Sequence, residues 1–496
     1  MSKVRETWWV TGVLVLCVVA SSLFYSHFSL NHDASWYLVS TRMFLDGATL
    51  YQDVVEINPP LAFYLTAPTL KIAELLQLEP ATALNIYVSV LGGITTLWTY
   101  TLVRRAGFGL VARTTLFVAT IAGNFLVVIH EFGQREHLLL VFAMPYLSFL
   151  IFRENLRSLN PPEATALGIT AFLGLALKPY FLLIPAGLIL ARFAATRDVR
   201  EFWNLSNVTL GLILFAYLAF IWLVHPLYIQ EIVPVASIVY SAFETSWLGV
   251  FVKPETFALT ALMALAFACR TKLDLAAYAI LGALAGAVAT YLLQFKGWNY
   301  QVVPVSFFIF FAAVWVILRS RERVRENVLL GALAMSAIIF SLGSQFAKGP
   351  YDAYTTAKFE PFVRTPGERI LVLSTNVSAS FPFVNEVNGE WTSRYSAQWI
   401  LPGAIRLLAQ SNCREERGLC LRYREILSET RSAMVQDFIR GRPDLVFIDD
   451  RDRKSYFGDV QFDYIAFLLE DPGFADLWQD YRQVGQAAEY QVWELK

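Results

Sequence analysis

The chain has 496 residues; 56% are hydrophobic, only 16% are charged, and the formal net charge is -1. A water-soluble surface of this size needs far more charge, so a soluble globular protein is excluded. The near-zero balance removes any global attraction to nucleic acid. Aromatic residues, 15% of the chain, suit membrane interfaces and cavities lined for sugars or lipids.

The first apolar block, 8–28, follows Lys3 and Arg5. It is longer than a signal-peptide core and has no small-x-small cleavage site, so it reads as a retained first transmembrane helix. A polar stretch, 29–82, comes next and opens with Asn31-His32-Asp33. Trp36, Tyr37, Leu38, Met43, Phe44 and Leu45 surround Ser40, Thr41 and Arg42. That pattern predicts an amphipathic helix over 35–45 on the membrane surface, ended at Gly47. After the turn-like Leu50-Tyr51-Gln52-Asp53, Asn58-Pro59-Pro60 predicts a second helix, with Asn58 as its cap and Pro59 at its first position.

Ten further apolar blocks follow, near 83–103, 113–130, 137–152, 164–177, 180–195, 205–225, 248–269, 274–294, 302–318 and 327–345. Each is close to the length that crosses a bilayer, and Pro179 separates the fifth from the sixth of the full set. About eleven spans are expected in an α-helical polytopic membrane protein. Basic clusters fall in alternate loops: Lys3 and Arg5; Arg104, Arg105 and Arg113; Arg153 and Arg157; Arg192, Arg197 and Arg200; Arg270 and Lys272; Arg319, Arg321, Arg323 and Arg325. An inside N-terminus puts all of them on the cytoplasmic side. The loop 29–82, the segment 226–247 and the tail then lie outside. The tail carries strand-like runs at Arg369–Ser374 and Asp444–Asp449 and helix-like stretches at 421–440 and 460–470. The domains expected are a transmembrane domain, 1–345, and an extracytoplasmic α/β domain, 346–496. Outside, Cys413 and Cys420 can form a disulfide.

The outside turns hold the polar chemistry. Asp33 is either the N-cap of the helix that follows or a general base facing a cavity, and the two roles are compatible. Glu131-Phe132-Gly133-Gln134-Arg135-Glu136-His137 is either a solvated turn or a site where Arg135 binds phosphate, which its fork fits. Lys178 either snorkels to the interface or meets an anionic headgroup. Lys296, in a turn with Trp298, Asn299, Tyr300 and Gln301, is either part of an interfacial belt or a phosphate or sugar contact. There is no HExxH, Walker loop, GxGxxG or GxSxG, so soluble nucleotide chemistry is not indicated.

Asn31-His32-Asp33-Ala34-Ser35-Trp36-Tyr37, Asp46-Gly47, Leu50-Tyr51-Gln52-Asp53 and Asn58-Pro59-Pro60-Leu61-Ala62-Phe63-Tyr64 together resemble the first periplasmic loop of GT-C glycosyltransferases. The likeness is to the bacterial branch of aminoarabinose and galacturonic acid lipid A transferases and protein O-mannosyltransferases. Gln134-Arg135-Glu136-His137 and Leu177-Lys178-Pro179 resemble further elements of that branch, and the likeness runs over roughly 1–345. It implies a multi-pass enzyme of the bacterial inner membrane that moves a sugar from a polyprenyl-phosphate carrier to a lipid, glycan or protein acceptor at the periplasmic face, with inversion. Asp33 and Glu136 would then be catalytic, and Arg135 and Lys178 would bind the donor phosphate. Lys296 is added to that phosphate set from its own turn, and His32, Asp53, Glu56, Asn58 and Glu131 are supporting positions. Asn58 stands where the family often has lysine. Glu131, Glu136, Asp53 and Glu56 compete as the acidic partner of Asp33, so a divalent metal is left open and no other cofactor is implied. The competing readings are a transporter or flippase, or a non-catalytic subunit of a polysaccharide assembly system. The gathering of ionisable residues at outside loops, not within spans, favours the enzyme.

Overall fold

The computed structural model describes residues 3–156 and 159–496; Arg157, counted in the charge pattern, lies outside the described residues. All eleven apolar blocks contain a helix. Among the described residues, seven helices are long and apolar enough to cross a membrane by length and composition, including Pro80–Arg105, Leu275–Gln294 and Val328–Lys348. Shorter helices occupy the other blocks: Leu110–Phe125, Arg135–Ile151, Pro161–Leu175 and Pro254–Ala268. The chain is a polytopic α-helical membrane protein with a small C-terminal sheet. By packing it divides into two compact units: 1–28, 71–219 and 245–351 form one, and 29–70, 220–244 and 352–496 form the other.

In the first unit, the helix Val303–Arg319 is buried at every position from Val303 to Val316. The helix Leu205–Val224 does the opposite and exposes Leu212, Phe215, Leu218 and Trp222, a surface that only lipid covers without cost. Close packing uses small residues. A Cβ on Gly187 would lie 2.3 Å from the carbonyl oxygen of Gly282, and one on Gly286 would lie 2.1 Å from that of Leu183. The helices Leu183–Thr196 and Leu275–Gln294 therefore approach backbone to backbone, as lipid-embedded helices do where side chains are minimal. The Lys178-Pro179 break is a short 3₁₀ turn, Pro179–Leu182, ahead of the helix Leu183–Thr196. Ion pairs join segments that the charge pattern assigns to one side: Arg113 to Glu6, Arg105 to Glu163, Arg192 and Arg153 to Glu201, and Arg319 to Asp274.

The second unit is built on a five-stranded sheet: β1 (Arg369–Leu373), β2 (Glu390–Trp391), β3 (Leu445–Asp449), β4 (Tyr481–Ala487) and β5 (Tyr490–Leu495). The order is β2-β1-β3-β5-β4; β1 runs parallel to β2 and β3, and β5 runs antiparallel to β3 and β4. All five residues of β3 are buried, as a central strand covered on both faces requires. Phe447 of β3 stacks on Phe359 with ring centres 4.3 Å apart and meets Phe383 edge-on at 5.5 Å. The long helix Arg417–Gly441 and the helix Ile400–Gln410 belong to the same unit, and Cys413 and Cys420 between and within them are disulfide-bonded.

The helix of the first loop, His32–Leu45, is buried at every residue from Ala34 to Thr41. A surface-lying amphipathic helix was expected. Instead, its polar Ser35 is bonded to Asn385 of the tail through both the hydroxyl and the carbonyl oxygen, and Trp36 packs on Phe381 with rings 5.3 Å apart. Residues that look interfacial in the sequence are core here because the tail supplies the second layer.

Truncating Phe447 to Ala should empty the centre of this aromatic core and lower the stability of the second unit by about 3–5 kcal/mol. An unchanged denaturation midpoint in detergent would refute that placement.

Candidate functional site

Each unit holds part of the expected site. In the second unit, Asn31 caps the helix His32–Leu45: its side-chain oxygen accepts the Asp33 N–H at 3.0 Å. The expectation that Asp33 is the cap is therefore corrected. Asparagine caps as well as aspartate does, and with Asn31 in that role Asp33 falls in the first turn. There its carboxylate gains from the helix N-terminus without closing it. The Asp33 side chain is 18% exposed, and the His32 ring nitrogen Nε2 lies 3.7 Å from its Oδ1.

Asn58 also changes role. The second helix begins at Leu61, not at Pro59. Asn58 and Pro59 both precede a proline, which drives each to extended backbone, so helical geometry starts only after Pro60. Freed from capping, Asn58 turns to Glu56: its backbone N–H donates to Oε1 at 3.1 Å, and its amide bonds the same oxygen. The other oxygen, Oε2, accepts the Trp36 indole N–H at 3.0 Å. Glu56 is buried, and these donors are what allow a carboxylate there. Glu56 thus ties the loop to the helix that carries Asp33. Trp36 was not marked as a site residue; an indole in an otherwise matched loop motif was the available signal.

Aromatic rings extend this region. Tyr51 holds a left-handed backbone (φ 72), and its hydroxyl donates to the Asn58 carbonyl at 2.9 Å. Tyr64 is hydrogen-bonded to His225 at 2.8 Å. Asp53 is a clamp: Oδ2 accepts the Thr49 N–H and Oδ1 accepts from the Arg440 guanidinium, both at 3.0 Å. Burial alone would raise its carboxyl, but the Thr49 N–H and the Arg440 charge outweigh it and hold it below the ordinary range.

In the first unit, Gln134 precedes the helix Arg135–Ile151, and Arg135, Glu136 and His137 form its buried first turn. The solvated turn is ruled out. The Lys178 ammonium donates to Glu136 Oε1 at 2.6 Å, with side-chain exposures of 3% and 1%, so Lys178 does not snorkel. Its charge also lies 4.6 Å from the Tyr300 ring centre. Tyr180 donates to Gln294 Oε1 at 2.8 Å, and Gln301 donates to the same oxygen at 2.7 Å. Lys296 sits 5.0 Å from the ring centre of Trp298. Glu131 is buried and accepts from the Gln134 amide at 3.0 Å. The three turns at 131–136, 178–180 and 296–301 are therefore one connected structure. Arg135 at a helix start and Lys178 offer positive charge in low dielectric, which is what a phosphate group needs.

The sequence reading passed over Glu255. This buried carboxylate opens the helix Pro254–Ala268, and its Oε1 accepts from Ser344 at 2.8 Å, Gln345 at 3.0 Å and Ser306 at 3.3 Å. Its signal is a lone acid at the head of an apolar block, with hydroxyls and an amide at the ends of two others. For a metal, the donor sets do not fit: among the described residues, no three of His, Cys, Asp or Glu converge to hold an ion.

No protein-family model matches the chain. No curated protein matches it. Among solved structures, it is similar to the oligosaccharyltransferase of Archaeoglobus fulgidus in complex with Zn and sulfate. The identity is 13%, the TM-score 0.45, and the match covers 89% of this chain and 68% of that one. A second similar structure is the archaeal oligosaccharyltransferase AglB of Archaeoglobus fulgidus with an inhibitory peptide and a dolichol-phosphate, at 12% identity and TM-score 0.44, covering 90% of this chain and 70% of that one.

Replacing Glu136 by Ala should take the carboxylate from the buried Lys178 ammonium and cost about 3–5 kcal/mol, most of it recovered in the double change with Lys178→Met. Equal thermal midpoints for wild type and Glu136→Ala would contradict the pairing. For Asp53, a lowered folded-state pKa means that its stabilisation is present above the unfolded value and is lost as pH falls through the folded one. The stability gap between wild type and Asp53→Asn should thus be open at neutral pH and close in acid below the usual carboxylate range; a gap that widens in acid would reverse the assignment.

Proposed function

We propose that the chain is a GT-C type glycosyltransferase that moves a sugar from a polyprenyl-phosphate carrier to a lipid, glycan or protein acceptor on the outer face of a bacterial inner membrane. The observation that carries this reading is the buried Lys178–Glu136 pair beside Arg135. A cation kept inside a membrane protein at the cost of its hydration needs a purpose beyond stability, since an apolar pair is often as stable. Binding a phosphate that must be stabilised as it leaves is such a purpose.

In this reading Asp33 takes the proton of the acceptor hydroxyl. The hydroxyl oxygen attacks the anomeric carbon on the face opposite the phosphate, the carbon–oxygen bond to the carrier phosphate breaks, and the bonding pair leaves with the phosphate. Configuration inverts. Arg135, Lys178 and Lys296 meet the growing charge on the phosphate. Glu136 positions Lys178, and Glu56 positions the loop that bears Asp33.

Replacing Asp33 by Asn keeps the shape and removes the base. In the purified full chain, given a polyprenyl-phosphate sugar and an acceptor, the turnover number should fall about 10²–10⁴-fold. Transfer at the wild-type rate would refute the assignment.

A further inference from the structure

A cavity of about 450 Å³ opens within the second unit, between the first loop, the segment around Gln230 and the helix Arg417–Gly441. Its size suits a small ligand. We propose that it binds a neutral oligosaccharide; calling that saccharide the acceptor rests on the transferase reading above.

The lining makes the case. Three aromatic residues, Tyr51, Tyr395 and Trp399, border the cavity and are buried. At 2%, 5% and 8% exposure they offer no open stacking face and give the cavity a narrow apolar margin beside its polar groups. Gln52, Gln230 and Glu429 are exposed at the same cavity. The amides donate and accept, and the carboxylate accepts, so together they match the hydroxyls of a sugar.

The floor is held rigid. The Val55 N–H donates to the Arg394 carbonyl at 2.7 Å, and Val55 pairs with Tyr395 in a parallel bridge. The Tyr51 N–H donates to the Val54 carbonyl at 2.7 Å. A preorganised wall loses little entropy on binding, which weakly held sugars require.

Charge selects the ligand class. Both arginines at the cavity already have partners: Arg394 pairs with Asp437 at 2.9 Å and Arg422 with Glu425 at 2.6 Å. Glu231 and Glu429 add two further carboxylates. A phosphate or an acidic sugar would meet these without a spare cation, so a neutral saccharide fits and an anionic headgroup does not.

Tyr51 also links the cavity to the loop motif, through its hydroxyl on Asn58 and from there to Glu56 and Trp36. A saccharide in the cavity therefore adjoins the framework that holds the helix of Asp33.

The test uses the full chain in lipid nanodiscs on an array of neutral tri- and tetrasaccharides of glucose, mannose, galactose and N-acetylglucosamine, with calorimetry on the best binder. Wild type should bind at least one of them. Gln230→Ala and Glu429→Ala, both at exposed positions, should each weaken it about tenfold, the value of one lost hydrogen bond, with unchanged thermal midpoints. No binding by wild type, binding by both variants as tight as wild type, or binding of peptides in place of saccharides would overturn the proposal. In the transfer assay the same variants should raise the KM for acceptor and leave that for donor unchanged; a rise for donor alone would overturn the acceptor assignment. Saccharide binding lost in both variants, in a chain that transfers nothing, would leave the cavity standing and sink the transferase reading instead.

Discussion

The short contact between Lys178 and Glu136 sets the terms for the rest of the molecule. Both groups have left water almost completely, and neither could do so alone, because an isolated charge in this medium costs several kcal/mol or shifts its proton. The partner of each is fixed by a different helix: Glu136 by the first turn of Arg135–Ile151, Lys178 by the proline break ahead of Leu183–Thr196. The helices must hold their register for the pair to exist. Close packing at Gly174, where an added Cβ would lie 3.0 Å from the Leu139 carbonyl oxygen, holds the chain ahead of Lys178 against the helix of Glu136. The same rule repeats at Glu255, where two hydroxyls and an amide converge on one oxygen, and at Glu56, where Trp36 and Asn58 divide the two.

Much of the architecture was legible in the sequence because membrane insertion writes it there. Apolar blocks of bilayer length are hard to mistake, and all eleven contain helices. The tail strands at β1 and β3 showed as apolar β-branched runs. The strands β2, β4 and β5 did not. Glu390–Trp391 is only two residues long, and β4 carries Arg482, Gln483 and Gln486 on a sheet edge, so neither has the apolar signature that periodicity detects. A strand defined by its neighbour leaves little trace in its own residues.

The candidate site was legible in its residue types and less so in their roles. Asp33, Glu136, Arg135 and Lys178 stood out as charges in the wrong solvent. Which oxygen meets which nitrogen depended on distances of 2.6–3.1 Å between positions tens of residues apart, such as Lys178 and Glu136 or Trp36 and Glu56. The two errors of capping share a cause. Asn31 and Asp33 are both good caps, and both Asn58 and Pro59 sit before a proline; local rules left a tie that the neighbouring chain resolved. The burial of the first-loop helix could not be read at all, because its covering layer lies at the other end of the chain.

That covering layer has a consequence for assembly. Asn385 holds Ser35 across a sequence separation of 350, and Arg440 holds Asp53 across 387. A ribosome that has finished the first loop must insert every remaining span before the residues that bury it exist. The loop is therefore made unfinished, its tryptophan and tyrosines without their second layer, and it waits until the last stretch of chain arrives. The loop that holds Asp33 and Glu56 is thus among the last parts to take shape, and an interrupted chain would carry these residues without the layer that buries their helix.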